Sequence, residues 1–214
     1  MAPGAKIALA VVGFLLLLGG GAASAKTVVT TSGPRRAKFS SYDGDTSTWA
    51  KRRFALAYEY FRTHWQNALS DEAAKEAALS VLAHWAIETG TGTSEYNFNV
   101  GNIHAVGAGP WFGSADQAER TGKTYGAQFA AYPSLDAGVH AYLALLENSR
   151  YAHCLDLLVE SPSDPEWFKC LGEAGYFAKT MPDKKTGKPV DNLELAAKLL
   201  VQKRAALAQY AGVS

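Results

Sequence analysis

Ala83-His84-Trp85-Ala86-Ile87-Glu88-Thr89-Gly90-Thr91-Gly92 is the stretch whose reading decides the fold of this 214-residue chain. Upstream of it, Ala77, Val81 and Trp85 share one helical stripe, with Ala78, Leu82 and Ala86 beside it, so an apolar helix runs into this segment. Ser70 is placed to cap the start of that helix, and Asp71 and Glu72 suit the positive end of its first turn. Gly90 and Gly92 stop it. Glu88 is left in the last turn, where the negative end of the helix dipole and apolar neighbours such as Trp85 and Ile87 disfavour an ionised carboxylate. A carboxyl group that keeps its proton near neutral pH is what general-acid catalysis needs. A glutamate at an exposed helix end needs no such role, and the residues alone leave both readings open.

Working outward, Trp49, Phe54, Leu56, Tyr58, Phe61 and Trp65 recur at helical offsets and predict a helix over about residues 47–69. Residues 90–133 differ: they are glycine-rich, with short apolar stretches and closely spaced asparagines. They predict an irregular, partly β lobe with a short hairpin between about residues 116 and 132. Ser134 then caps a helix to about residue 147, with Val139, Tyr142, Leu143 and Leu146 toward the core. A short helix follows over about 151–159. Asp164-Pro165 opens another, closed by Gly172 or Gly175. Asp191 with Glu194 has the form of a capping box before a last helix to about residue 210. Residues 182–189 read as a lysine-rich surface loop. The fold class is mainly α (α+β): a helical domain whose glycine-rich insertion forms one wall of a cleft.

The N-terminal end has a different character. Lys6 precedes an apolar run over residues 7–18, broken only by Gly13, and Ala23-Ser24-Ala25 has the small-x-small form of a cleavage site. This predicts a signal peptide over residues 1–25 and a secreted or periplasmic protein. The run is short of the ~20 residues a spanning helix needs, so no membrane association is expected after cleavage. Polar residues 26–46 read as a flexible linker, and residues 47–214 as one domain. A composition of 48% hydrophobic and 19% charged residues excludes a disordered chain. The formal charge of +1 argues against nucleic acid as a partner. Removing the leader takes one base, Lys6, and no acid, leaving 20 of each sign. A monomer is the default. In an oxidising compartment Cys154 and Cys170 are candidates for a disulfide closing a loop of about 15 residues, worth ~3 kcal/mol; two buried free thiols are the alternative.

Four stretches carry a resemblance. They are Ala86-Ile87-Glu88-Thr89-Gly90-Thr91-Gly92; Tyr96-Asn97-Phe98-Asn99-Val100-Gly101-Asn102-Ile103; Phe129-Ala130-Ala131-Tyr132-Pro133-Ser134 with Tyr142 and Arg150-Tyr151; and Ala174-Gly175-Tyr176-Phe177-Ala178. In order and spacing, the chain from about residue 73 to 202 resembles the lysozyme-like glucosaminidases of glycoside hydrolase family 73, which include autolysins and flagellar peptidoglycan hydrolases. The resemblance implies a lysozyme-like fold and hydrolysis of the β-1,4 glycan strands of peptidoglycan, without cofactor or metal. It makes Glu88 the general acid and Tyr176 a tyrosine lining the cleft near the reacting sugar. Asn97, Asn99 and Asn102 would either hold the turn beside the catalytic helix or bind N-acetyl sugars. Trp111 and Phe112, in a glycine-flanked loop, either stack on sugar rings or pack in the core or rim, and Tyr132 is either core or cleft. The family's β-lobe acid falls at Asp116, with Glu119 as a substitute. Glu95 lies closer to Glu88 in sequence. A substrate acetamide would make a second carboxylate unnecessary. Thr91 departs from the family, which usually carries an aromatic residue there.

Other readings remain at this level. His84 and Glu88 are four residues apart on one helix face, with His104 beyond the turn, a spacing that metal sites use, so a zinc amidase or peptidase acting on the cell wall is a rival reading. No H-E-x-x-H motif accompanies it. A non-catalytic peptidoglycan-binding module would share all these features. A muramidase or lytic transglycosylase would share the fold and differ only in the bond cut.

Overall fold

The computed structural model describes residues 42, 44–93, 95, 98–103, 112–114, 129–183 and 186–212. Helix α1 (Thr46–His64) begins at Asp45, whose carboxylate accepts from the Thr48 backbone N–H at 2.9 Å. It turns Trp49, Arg53, Ala57, Tyr60 and Phe61 into the core, an i, i+4, i+8, i+11, i+12 series. Phe54, Leu56, Tyr58 and Trp65, taken from sequence as part of that face, pack at its margin. The helix ends at His64, short of the predicted residue 69, because Trp65 leaves helical dihedrals at φ −116° and ψ 20°.

Helix α2 (Asp71–Glu88) is capped by Ser70, whose hydroxyl accepts from Ala73 N–H. Ala74 and residues 77–86 are all buried, so the helix is enclosed on every side along its C-terminal half. Alanine at so many positions lets neighbouring helices approach closely. α2 packs mainly against α1 and against the last helix, α6 (Asn192–Ala211). Among the described residues this makes α2 the axis of the domain, and Glu88 emerges where that axis ends.

Two short strands follow, β1 (Phe112–Ser114) and β2 (Phe129–Ala131), paired antiparallel with Phe112 opposite Ala131. The first strand therefore lies before residue 116, where the sequence pattern started the hairpin. Three-residue strands leave too little alternation to register. Helix α3 (Leu135–Leu146) starts at the Ser134 cap. Helices α4 (Ala152–Glu160) and α5 (Glu166–Glu173) follow, with the Asp164 carboxylate accepting from Glu166 N–H at the start of α5. Cys154 on α4 and Cys170 on α5 are joined by a disulfide.

The described residues of the predicted surface loop over 182–189 are largely exposed, and its ends pair as strands that the sequence did not announce. Strands β3 (Thr180–Pro182) and β4 (Pro189–Asp191) pair antiparallel, and between them Asp183 accepts from the Thr186 N–H and hydroxyl. Asp191 then caps α6, accepting from Leu193 N–H and Glu194 N–H. The Glu194 carboxylate reaches Lys169 of α5 at 2.6 Å, which ties α5 to α6.

Candidate active site

The end of α2 is built by its own backbone. Thr89 is the C-cap, Gly90 takes φ +58°, and Thr91 N–H returns to the Ala86 carbonyl at 2.9 Å. This six-to-one bond with a left-handed residue inside it is a Schellman stop, and glycine adopts that conformation without steric cost. Thr89 reinforces it, donating from its hydroxyl to the Trp85 carbonyl at 2.7 Å and accepting from Gly92 N–H at 3.1 Å. Thr91 accepts from Lys203 of α6 at 3.3 Å. Asn102, itself at φ +49°, donates from its side chain to the Glu88 carbonyl. Glu88 therefore stands on a backbone fixed from both directions.

An open cavity of about 560 Å³ lies against it, lined by Glu88, Gly101, Asn102, Arg150, Tyr151 and Tyr176 among others. The Glu88 side chain is 21% exposed, while its neighbour one turn back, His84, is fully buried. His84 Nε2 lies 3.3 Å from Glu88 Oε1 and its Nδ1 lies 2.6 Å from the Tyr142 hydroxyl. Tyr176, partly exposed, donates its hydroxyl to the Gly101 carbonyl at 2.6 Å and sets its ring edge-on to His84. Burial pushes the Tyr142 and Tyr176 phenols well above their ordinary range, and the Glu88 charge adds to both. Both tyrosines therefore act here as protonated donors rather than as phenolates. Arg150 donates from Nε to the Ala174 carbonyl at 2.6 Å and lies over Gly175, which takes φ +86°.

Several residues singled out from sequence stand elsewhere. Glu95 is 2% exposed and belongs to the interior. It pairs with the equally buried Arg53, accepts from Arg53 Nε at 2.7 Å, and accepts from Trp49 Nε1 at 2.9 Å. Its role is to clamp the segment after Glu88 onto α1. Asn99 is also buried: its amide donates to the Ile103 and Ala130 carbonyls and accepts from Ile103 N–H, so both ends are used in joining this turn to β2. Tyr132 is buried beside Ala130 and Ala141 and is not among the described residues that line the cavity. Asp116, Glu119, Asn97, Trp111 and His104 lie outside the described residues.

His84 has both nitrogens engaged by Tyr142 and Glu88. The three metal-ligand-type side chains that cluster among the described residues are His153, Cys154 and Cys170, and two of these are spent in the disulfide. Sequence reading passed over Arg150, Tyr151 and Asn148 as cavity residues, because nothing local in a helix-to-helix turn announces that it faces a cleft. His84 was visible as the residue four before Glu88, but its partner Tyr142 is 58 positions away.

Residues 69–211, more than half of the chain, match the glucosaminidase family model, described as mannosyl-glycoprotein endo-beta-N-acetylglucosaminidase. The chain belongs to the glucosaminidase family. No curated protein and no solved structure matches it significantly. It is a glycoside hydrolase of the endo-β-N-acetylglucosaminidase type, and its mainly helical architecture with small two-stranded antiparallel sheets is that of a lysozyme-like α+β fold. The glucosaminidase match starts just before the Ser70 cap and ends with α6, so α1 stands outside it. Yet α1 supplies Trp49 and Arg53 to the clamp on Glu95.

Proposed function

We propose that this glucosaminidase cleaves the β-1,4 glycan backbone of peptidoglycan, after N-acetylglucosamine, with Glu88 as the general acid. The observation that carries this reading is the Glu88 carboxyl itself, standing in the cavity wall at a fixed helix end with one oxygen held by His84. In the reaction Glu88 protonates the glycosidic oxygen of the departing sugar. Tyr176 lines the same cavity and keeps the Gly101 carbonyl turned toward its hydroxyl. With Glu95 committed to Arg53, the partner of Glu88 is either Asp116 or Glu119 or the substrate's own acetamide oxygen. An inverting base would stand ~6.5–9.5 Å from Glu88 and a retaining nucleophile ~5 Å away.

Export to the cell wall is part of the proposal. It rests on the leader pattern of residues 1–25 and is supported by the Cys154–Cys170 disulfide, since such bonds persist in oxidising compartments. Among the described residues no helix is long and apolar enough to cross a membrane.

Glu88→Gln keeps shape and removes the acid proton, so the variant should stay folded and lose wall clearing by at least about 100-fold. Near-wild-type clearing by that variant would overturn the assignment. Mass spectrometry of the digest decides the bond: N-acetylglucosamine at the new reducing end supports the proposal. N-acetylmuramic acid there would make the enzyme a muramidase, and an anhydro sugar a lytic transglycosylase. Binding to peptidoglycan without cleavage would make it a binding module.

A further inference from the structure

We propose that His84 is a positioning residue for Glu88: a one-way chain of hydrogen bonds, Tyr142 to His84 to Glu88, dictates which carboxyl oxygen carries the acid proton. The inference rests on Glu88 being the acid and adds to it a residue that acts through it.

The chain's direction follows from where its protons have to go. The His84 ring is fully buried among Tyr142, Trp167, Phe168 and Tyr176, with ring centroids 5.5, 5.9, 4.6 and 5.1 Å away. Trp167 and Phe168 of α5 pack against the ring, and among the described residues the groups at hydrogen-bond distance from its nitrogens are Tyr142 of α3 and Glu88 of its own helix. Tyr176 already gives its proton to the Gly101 carbonyl. Tyr142 is itself buried, and among the described residues the acceptor it has is His84 Nδ1 at 2.6 Å. A buried phenol O–H with no acceptor carries its full desolvation penalty, so Tyr142 donates and Nδ1 accepts. An accepting Nδ1 bears no hydrogen. The imidazole is then the tautomer with its hydrogen on Nε2, which points at Glu88 Oε1 from 3.3 Å.

The consequence is chemical. With Oε1 accepting from Nε2–H, the acid proton of Glu88 sits on Oε2, the oxygen left for substrate. As that proton passes to the glycosidic oxygen, the O–H bond of Oε2 breaks and its electron pair stays on the carboxylate. The growing charge is met at Oε1 by an N–H already in place, and His84 keeps its proton throughout. The Tyr142 bond polarises the imidazole and strengthens the donor, as linked hydrogen bonds do. The long 3.3 Å contact has room to shorten when substrate fills the cavity. Asn102 holds the Glu88 backbone while His84 holds its carboxyl.

The test uses the full chain. In ¹⁵N NMR of the imidazole, the neutral tautomer with hydrogen on Nε2 is expected at the working pH; hydrogen on Nδ1, or on both nitrogens, would overturn the proposal. His84→Met replaces the ring with an apolar chain of similar bulk, and should lower kcat about 10- to 100-fold with KM changed less than about twofold. His84→Gln can accept from Tyr142 and donate to Glu88, so it should recover most of that loss. A His84→Gln enzyme as slow as His84→Met, or a His84→Met enzyme with wild-type kcat, would sink the idea. Tyr142→Phe removes one hydroxyl without changing shape and should lower kcat severalfold, a second route if His84→Met fails to fold. Unchanged kcat in a folded Tyr142→Phe enzyme counts against the chain. Should Glu88→Gln stay active, the acid assignment fails, and the tautomer measurement still reads the chain on its own.

Discussion

Glu95 and Arg53 are each 2% exposed, and with water excluded the carboxylate depends on Arg53 and Trp49 Nε1, while the guanidinium depends on Glu95, the Trp49 carbonyl and the Tyr42 and Trp49 rings. Removing one partner leaves a buried charge alone, which costs about 3–5 kcal/mol, whereas replacing both with apolar groups costs much less. Glu95→Leu and Arg53→Met should therefore each lower the urea midpoint sharply, and the double variant should be more stable than the sum of the two losses. Additive losses would mean that the pair is not the unit. Because the pair anchors the segment that follows Glu88, the single variants should also lose activity below the temperature at which they melt. The pair bears on what was legible in advance. Glu88 declared itself through its own helix, the glycines after it and the motif around it, all of which are local. Glu95 offered equal chemistry and closer spacing than Asp116, and only the partner 42 residues upstream reveals that it is spent.

At the level of elements, the turn after α3 and the turn after α5 are joined through Arg150 and through the edge-on rings of Tyr151 and Tyr176. Arg150 reaches across to the Ala174 carbonyl, and its guanidinium lies over Gly175, where an added Cβ would stand 2.4 Å from Nη2. Gly175 also holds φ +86°, so a side chain is strained there in two ways. Gly175→Ala should cost about 1–3 kcal/mol. It should also raise KM, since both turns line the cavity; a variant with wild-type melting and KM would show that the contact is dispensable. The caps at Ser70, Ser134 and Asp191 could be read from sequence because each is a single residue speaking to the next turn. The pairing of β3 with β4 could not, since strands of three residues bounded by Pro182 and Pro189 look like any lysine-rich loop. Pairing between strands is not a local property.

For the whole molecule, the disulfide matters through where it sits. Cys154 and Cys170 are 16 positions apart and fasten α4 to α5, and α5 carries Trp167 and Phe168, which enclose His84. A loop of that length constrains the unfolded chain by ~3 kcal/mol. For a domain of this size that corresponds to a fall of roughly 10 °C in Tm when the bond is lost. The paired Cys154→Ala, Cys170→Ala variant should show that fall, and reduction of the wild-type protein should reproduce it. Below the new melting point the aromatic enclosure of His84 still packs from α3 and from Tyr176 as well as from α5. Here kcat at 25 °C should change less than about threefold while thermal inactivation comes much earlier. A large loss of kcat at 25 °C in a variant that remains folded would instead mean that α5 must be held rigidly for His84 to face Glu88. The disulfide would then be part of the positioning chain and not only a brace for the fold.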